Sequence, residues 1–428
     1  MITTSSDLQI RPIPHPLNAT IRVPGSKSLT NRALLIAALA NGATRLTNAL
    51  LSDDSKYFVK ALQTLGFDIQ LDEANHEMTV TGLGGKIPAS QAELFIGNAG
   101  TAARFLSAFL TLGNGEYIVD GDSRMRERPI GDLVDALHQL GVELEATNNC
   151  PPVEIFAKGL PGGKTKIAGN ISSQFLSALL MVSPYAQSSV EIELTTDLNS
   201  KPYVDMTIAI MKDFGVEIER QGYECFTIHP AFYTPLFTYA IESDASAAAY
   251  FFATPAICGG KVRVENISRK SKQGDIAFLH VLEKMGCNIR EGQDFIEVAG
   301  TSVLQGIDMD MRDISDTAQT LAAIAPFAAS PTRIRGIASA RVKETDRVSA
   351  TCNELRRLGV QVEEHEDGMT IHPCQTFQPA KIQTYNDHRM AMSFSIIGLR
   401  VDGVAIENPS CVSKTFPNYF EVLDGLRD

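Results

Sequence analysis

Apolar positions along the 428 residues gather in six stretches: NRALLIAALA, TAARFLSAFL, SQFLSALLMV, SAAAYFFATPAI, TAQTLAAIAPFA and RMAMSFSIIGL. They open near Asn31, Thr101, Ser173, Ser246, Thr317 and Arg389, at steps of 70, 72, 73, 71 and 72 residues. Apolar and small residues occupy nearly the whole circumference of each, the pattern of a helix buried on all sides rather than one lying on a surface. A second, more polar series of helix ends runs between them: ALQTLGFDIQ, ALHQLGVELE, IMKDFGVEIE, VLEKMGCNIR and ELRRLGVQVE. Each closes on a Gly, at positions 66, 141, 215, 286 and 359, and passes into a short alternating strand. Gly just past the last turn supplies the left-handed conformation that ends a helix. So regular a step predicts an internal repeat of six α/β units, each about 71 residues long. Each unit holds a buried helix, a strand, a more polar helix and further strands.

The sixth unit runs out of chain at SKTFPNYFEVLDGLRD, before its closing strands. The opening stretch LQIRPIPHPLNATIRV alternates like a strand pair and has no helix before it. The expectation is that these N-terminal strands complete the sixth unit. That gives two three-unit domains, residues 1–21 with 242–428 and residues 22–241. Ligands commonly bind between such halves, which makes the cleft between them the expected site.

Composition narrows the partners. With 44% hydrophobic and 21% charged residues the chain reads as a globular protein, and its net charge of -12 repels nucleic acid and anionic membrane alike. Any anion site must therefore be a local basic patch. MITTSSDLQI lacks the basic start and apolar core of a signal peptide, and no apolar run reaches the length of a membrane span. The seven Cys are scattered singly, without metal-ligand spacing, and are expected to be reduced and mostly buried.

RVPGSKSLTNRA, residues 22–33, has the look of an anion-binding loop, but a nucleotide P-loop needs Gly where this chain has Ile21 and Ser26. Similar polar groups open the other buried helices, in GNAGTAAR, ISSQF, SDASA, SDTAQ and NDHRM. Basic clusters open the more polar ones, in RMRERPIG, NSKPYVD, RKSKQGD, RVKETDR and VSKTFP. Ordinary capping explains Ser, Thr, Asp and Asn at such places. Lys and Arg at a helix N-terminus oppose the dipole unless an anion lies between. Asp316, Glu344 and Asp387 fall in the same stretches. Asp316 reads equally as an N-cap or an acid–base group, and Glu344 beside Lys343 reads more readily as a surface pair. Taken alone, the residues indicate a site for phosphate- or carboxylate-bearing substrates that needs no cofactor.

Ten motifs occur in order between about residues 20 and 420: PGSKSLTNRALLIAALA, SDD, LFIGNAGTAARFL, RMRERPIGDLVDAL, SSQFLSALL, SKPYVDMT, GDI, RVKETDR, YNDHRMAMSFSI and SKTFPNYF. This set resembles the 3-phosphoshikimate 1-carboxyvinyltransferase (EPSP synthase) family. The resemblance implies an inside-out α/β barrel fold, two pseudo-threefold domains built from six βαβαββ-type units. It also implies transfer of the enolpyruvyl group of phosphoenolpyruvate to the 5-hydroxyl of shikimate 3-phosphate, in a cytoplasmic monomer. No metal or cofactor is implied, and glyphosate is the family's competitor for the phosphoenolpyruvate pocket.

Carried onto matching positions, the resemblance assigns Lys27, Ser28, Arg32, Ser172, Ser173, Gln174, Ser200, Tyr203, Asp316 and Lys343 to shikimate 3-phosphate. Phosphoenolpyruvate is assigned Lys27, Asn98, Gly100, Arg128, Gln174, Arg347, Arg389 and Lys414. Asp316 is implied as the base for the 5-hydroxyl, and Glu344 as the proton donor to the methylene carbon, with Lys27 as its competitor or helper. His388 is implied to support its neighbours. The chain departs from the pattern at Ser339, where many members carry an Asn against the shikimate ring, and at Phe105, where some carry Pro. Two other readings are a UDP-N-acetylglucosamine enolpyruvyl transferase, in which a Cys is typical where this chain has RMRERPIG, and a non-catalytic binding protein of the same fold.

Overall fold

In the computed structural model, which describes residues 7–427, the chain divides into two compact units. One is Gly25–Glu242; the other combines Met1–Pro24 with Ser243–Asp428. The first six residues and Asp428, included in the ranges expected from the sequence, lie outside the described residues.

Helices alternate in kind. The unit Gly25–Glu242 holds α1 (Lys27–Leu39), α2 (Asp53–Thr64), α3 (Gly100–Phe109), α4 (Gly131–Gln139), α5 (Ser173–Val182) and α6 (Lys201–Asp213). The other holds α7 (Ala245–Cys258), α8 (Phe278–Lys284), α9 (Ala318–Ile324), α10 (Arg347–Arg357), α11 (His388–Gly398) and α12 (Tyr419–Asp424). The odd-numbered helices are the predicted apolar ones, and every residue of α3, α9 and α11 is buried. In one unit α3 packs on α1 and α5; in the other α7, α9 and α11 pack on one another. The five repeated glycines all have positive φ, from +80° to +101°, which ends each polar helix as its sequence requires.

Sheets cover these helices. Asn41–Thr47 pairs antiparallel with Glu77–Leu83, which pairs antiparallel with Asp68–Asp72. Thr44, Leu46, Met78 and Val80 face inward while their neighbours in sequence are more exposed, the period of two of a half-buried sheet. In each sheet a short strand runs parallel to the strand that follows the buried helix: Gln91–Phe95 beside Asn114–Asp120, Gly163–Ile167 beside Val190–Leu194, and Asp308–Asp310 beside Thr332–Arg335. The ring within each unit closes at the chain crossings. Thr238–Ala240 returns to Asn41–Thr47, and Leu17–Arg22 joins Gly260–Glu265.

The N-terminal strand pair divides its work. Leu8–Gln9 pairs with Val404–Ile406 in the sixth, three-stranded sheet, whereas Leu17–Arg22 belongs to the sheet of the fourth unit. Each unit has its own hydrophobic core. Of the seven Cys, all unpaired, only Cys287, Cys352 and Cys411 are buried; the other four are half-buried, fewer in the core than expected. Among the described residues no helix is long and apolar enough to cross a membrane.

Candidate active site

In the unit Gly25–Glu242, the predicted residues sit at the N-terminal ends of α1, α3, α5 and α6 and in the loop before α4. Ser26 caps α1, its Oγ accepting from the Leu29 amide, and its own amide donates to the Glu242 carbonyl at 2.8 Å. This holds Lys27 in the first turn, where its Nζ lies 3.3 Å from Asp54 Oδ2. Asp54 is buried at the start of α2, where the dipole favours its charge.

Arg32 is 1% exposed and is held by neutral oxygens. Its Nε donates to Thr207 Oγ1 at 2.7 Å, Nη1 to the Ser28 carbonyl at 3.0 Å, and Nη2 to Ser177 Oγ at 3.2 Å and the Tyr203 carbonyl at 3.4 Å. One guanidinium thus ties α1 to α5 and α6. Burial lowers its pKa from 12.5 to about 10. Its Cζ lies 5.3 Å from the Phe105 ring, so the departure at Phe105 furnishes an aromatic face beside the cation.

Arg128 gathers a second group. Its Nη1 donates to Asn98 through both the carbonyl, at 3.2 Å, and Oδ1, at 2.9 Å. Gly100 opens α3 directly against it, and a Cβ there would stand 2.5 Å from Arg128 Nη2. Ser172 caps α5, accepting from the Gln174 amide, with Ser173 buried beside it. Ser200 takes a left-handed φ of +56° to start α6, which carries Tyr203 in its first turn.

In the other unit the predicted residues form one ionic network. Asp316 accepts from Lys343 Nζ at 2.6 Å, Arg347 Nη1 at 3.1 Å and Arg389 Nη2 at 2.7 Å. Arg347 also reaches Glu344 Oε2 at 2.8 Å and Asp387 Oδ2 at 2.7 Å. Lys414 Nζ lies 3.8 Å from Glu344 Oε1. Burial by itself would raise the Asp316 pKa, but Arg389, Lys343 and Arg347 outweigh it and hold the carboxyl well below its usual range. Lys343 is shifted down by burial, partly offset by Asp316.

The bland readings of two carboxylates fail here. Asp316 lies inside a 3-10 segment, Arg312–Thr317, and caps no helix; Glu344 is buried in the network rather than paired on the surface. Asp387 does cap α11, its Oδ1 accepting from the Arg389 amide at 2.8 Å, and the same carboxylate braces Arg347. His388 is buried with Nδ1 3.5 Å from Asp387 Oδ1. Ser339 is half-buried in the 3-10 turn Ala338–Val342 that leads to Lys343.

Three further groups entered no predicted set. Tyr250 Oη, on α7, accepts from Arg389 Nη1 at 3.2 Å. Asp275 accepts from Ser246 Oγ, and burial together with the charge of Asp316 raises its pKa to about 6. Asp54 faces Lys27. Asp54 and Asp275 lie in the motifs SDD and GDI, which marked them without a role, while Tyr250 in an apolar helix gave no signal.

The profile of EPSP synthase (3-phosphoshikimate 1-carboxyvinyltransferase) matches residues 12–423. The chain belongs to the EPSP synthase family. It is 51% identical over 415 residues to a 3-phosphoshikimate 1-carboxyvinyltransferase of Nostoc punctiforme, covering 96% of this chain and 97% of that one. A relative of the same name from a Sulfurovum species is 48% identical and covers 98% and 99% of the two chains. A solved structure of EPSP synthase from Acinetobacter baumannii superposes with a TM-score of 0.81 at 26% identity, covering 99% of this chain and 98% of that one. The six-unit α/β architecture predicted from the repeat is therefore the fold of the EPSP synthase family.

Proposed function

We propose that the protein transfers the enolpyruvyl group of phosphoenolpyruvate to the 5-hydroxyl of shikimate 3-phosphate, releasing phosphate. The observation that carries this reading is identity of about half the residues, along nearly the whole chain, with relatives named for that activity. Lys27, Ser28, Arg32, Ser172, Ser173, Gln174, Ser200, Tyr203 and Lys343 hold shikimate 3-phosphate. Lys27, Asn98, Gly100, Arg128, Gln174, Arg347, Arg389 and Lys414 surround phosphoenolpyruvate. Guanidinium groups suit its carboxylate and phosphate because they pair through two parallel N–H bonds.

Asp316 takes the proton of the 5-hydroxyl as that oxygen bonds to C2 of phosphoenolpyruvate. Glu344, with Lys27 as helper, gives a proton to the methylene carbon, and a tetrahedral intermediate results. Loss of a proton from the new methyl group then re-forms the double bond as phosphate leaves. A carboxylate held by three cations is a poor base. Anionic substrate groups that draw Arg347, Arg389 and Lys343 toward themselves loosen that hold and raise the basicity of Asp316 as the reactants arrive. Positioning and fixed charge supply most of the acceleration.

The protein acts as a monomer in the cytoplasm. Incubation with both substrates, followed by assay of phosphate and of the enolpyruvyl product, tests the activity. Turnover with UDP-N-acetylglucosamine but not shikimate 3-phosphate, or no turnover with either, would remove it.

A further inference from the structure

Glu354 is a fully buried carboxylate outside every role described so far. It lies seven positions after Arg347 on α10, a spacing that puts both side chains on one face of the helix. That face packs on the segment Gln383–Asp387 and grips it at both ends. Glu354 Oε2 accepts from the Gln383 amide at 3.0 Å and Oε1 from the Tyr385 hydroxyl at 2.8 Å. Seven residues earlier, Arg347 Nε donates to Asp387 Oδ2 at 2.7 Å.

Between the two grips the backbone turns sharply. Tyr385 and Asn386 have φ of +53° and +54°, a conformation that bulky side chains rarely adopt and that persists only where the surroundings enforce it. The turn closes with the Asp387 amide donating to the Thr384 carbonyl at 2.8 Å. It delivers Asp387 to its double task of capping α11 at Arg389 and bracing Arg347.

We propose that Glu354 is a positioning residue for the anion clamp: by fixing the left-handed turn at Tyr385–Asn386 it sets Asp387, and through Asp387 the aim of Arg347 and Arg389. The inference rests on the reading that these two arginines hold phosphoenolpyruvate. A carboxylate suits this place better than an amide because both groups facing it are donors. Gln would offer one acceptor oxygen, would keep the Tyr385 hydroxyl only by reversing that hydrogen bond, and would lose the negative charge. Arg357, whose Nε lies 3.6 Å from Oε1, supplies the countercharge from the half-exposed side of the helix.

The test compares Glu354→Gln, Tyr385→Phe and the double variant, using steady-state kinetics with each substrate varied, calorimetric binding of phosphoenolpyruvate in the presence of shikimate 3-phosphate, and thermal unfolding. Glu354→Gln should raise KM and Kd for phosphoenolpyruvate about tenfold while KM for shikimate 3-phosphate stays within about twofold. Tyr385→Phe should have a smaller effect of the same kind. The double variant should recover none of the affinity, since with Phe at position 385 the buried amide NH₂ is left without a partner. If Glu354→Gln does not fold, Tyr385→Phe carries the same test. Unchanged phosphoenolpyruvate affinity in the folded variants overturns the proposal, as does an equal loss for both substrates. Wild-type protein that fails to turn over would sink the functional reading itself; calorimetric binding of phosphoenolpyruvate would still report on Glu354.

Discussion

Arg32 and Arg347 are both deeply buried cations, yet their surroundings are opposite. Arg32 donates its hydrogen bonds to carbonyl and hydroxyl oxygens, and its pKa falls from 12.5 to about 10. Arg347 touches Asp316, Glu344 and Asp387, and its pKa is raised despite burial. At Arg32 the fold spends stability on positive charge held without a carboxylate. A shift of that size corresponds to a penalty on the order of 3 kcal/mol on the charged form. In the other unit the fold supplies internal carboxylates that neutralise the cations. The first arrangement leaves a positive charge without a countercharge; the second carries its countercharges with it.

The largest effect expected from this contrast lies at Asp316. Asp316→Asn should lower kcat about 10²- to 10⁴-fold, the usual contribution of a positioned acid–base group. The same change should tighten binding of inorganic phosphate, because three cations lose a shared countercharge. Calorimetry with phosphate measures it, and weaker binding would break the comparison.

Arg32→Met should do the reverse. Loss of a buried, hydrogen-bonded charge should cost about 2–4 kcal/mol in shikimate 3-phosphate binding, roughly 30- to 1,000-fold in KM. Unfolding midpoints should stay level or rise, since the penalty of the buried charge goes with it. A large fall in stability would mean that the neutral oxygens hold the unit together rather than hold a charge ready.

Asp275 gives a pH test of the ionic unit. Its native pKa of about 6 lies above the ordinary value near 3.9, so the folded state keeps a proton that the unfolded chain has lost. Stability contributed by that proton is present at low pH and is lost as pH rises through about 6. Asp275→Asn should therefore gain on wild type progressively between about pH 4 and pH 7 and hold that gain above, at about 1–3 kcal/mol. Parallel denaturation midpoints across that range would show that Asp275 ionises without penalty.

The smallest change concerns Gly100, where a methyl group must push aside the guanidinium of Arg128 before it reaches any ligand. Gly100→Ala should raise the inhibition constant of glyphosate about tenfold or more and KM for phosphoenolpyruvate by less, because a tight pocket discriminates against the longer molecule. Equal increases in both constants, or a wild type that ignores glyphosate, would discard this picture.

The repeat, the buried helices and the glycine stops were legible because each reports a local rule: apolar period, helix capping and permitted φ. Lys343, Arg347 and Arg389 were legible through motif order. Their partners were less so. Asp54 and Glu354 are spoken for by contacts with residues 27 and 383–385, and a carboxylate on an amphipathic helix looks solvated until the packing of that face is known. Leu17–Arg22 likewise alternates as any edge strand would, and its place in the fourth sheet depends on where the chain crosses between units.

By itself the sequence determined six α/β units, their helix ends and the kinds of charged residue placed there, since these follow from side-chain chemistry within a few turns of chain. Tertiary structure alone decided which charges meet. It put Asp316 among three cations and Arg32 among neutral oxygens, although both sit near the start of a buried helix. Interaction between charges depends on distances of a few ångströms and on the water excluded around them, and both are set by packing between segments far apart in sequence.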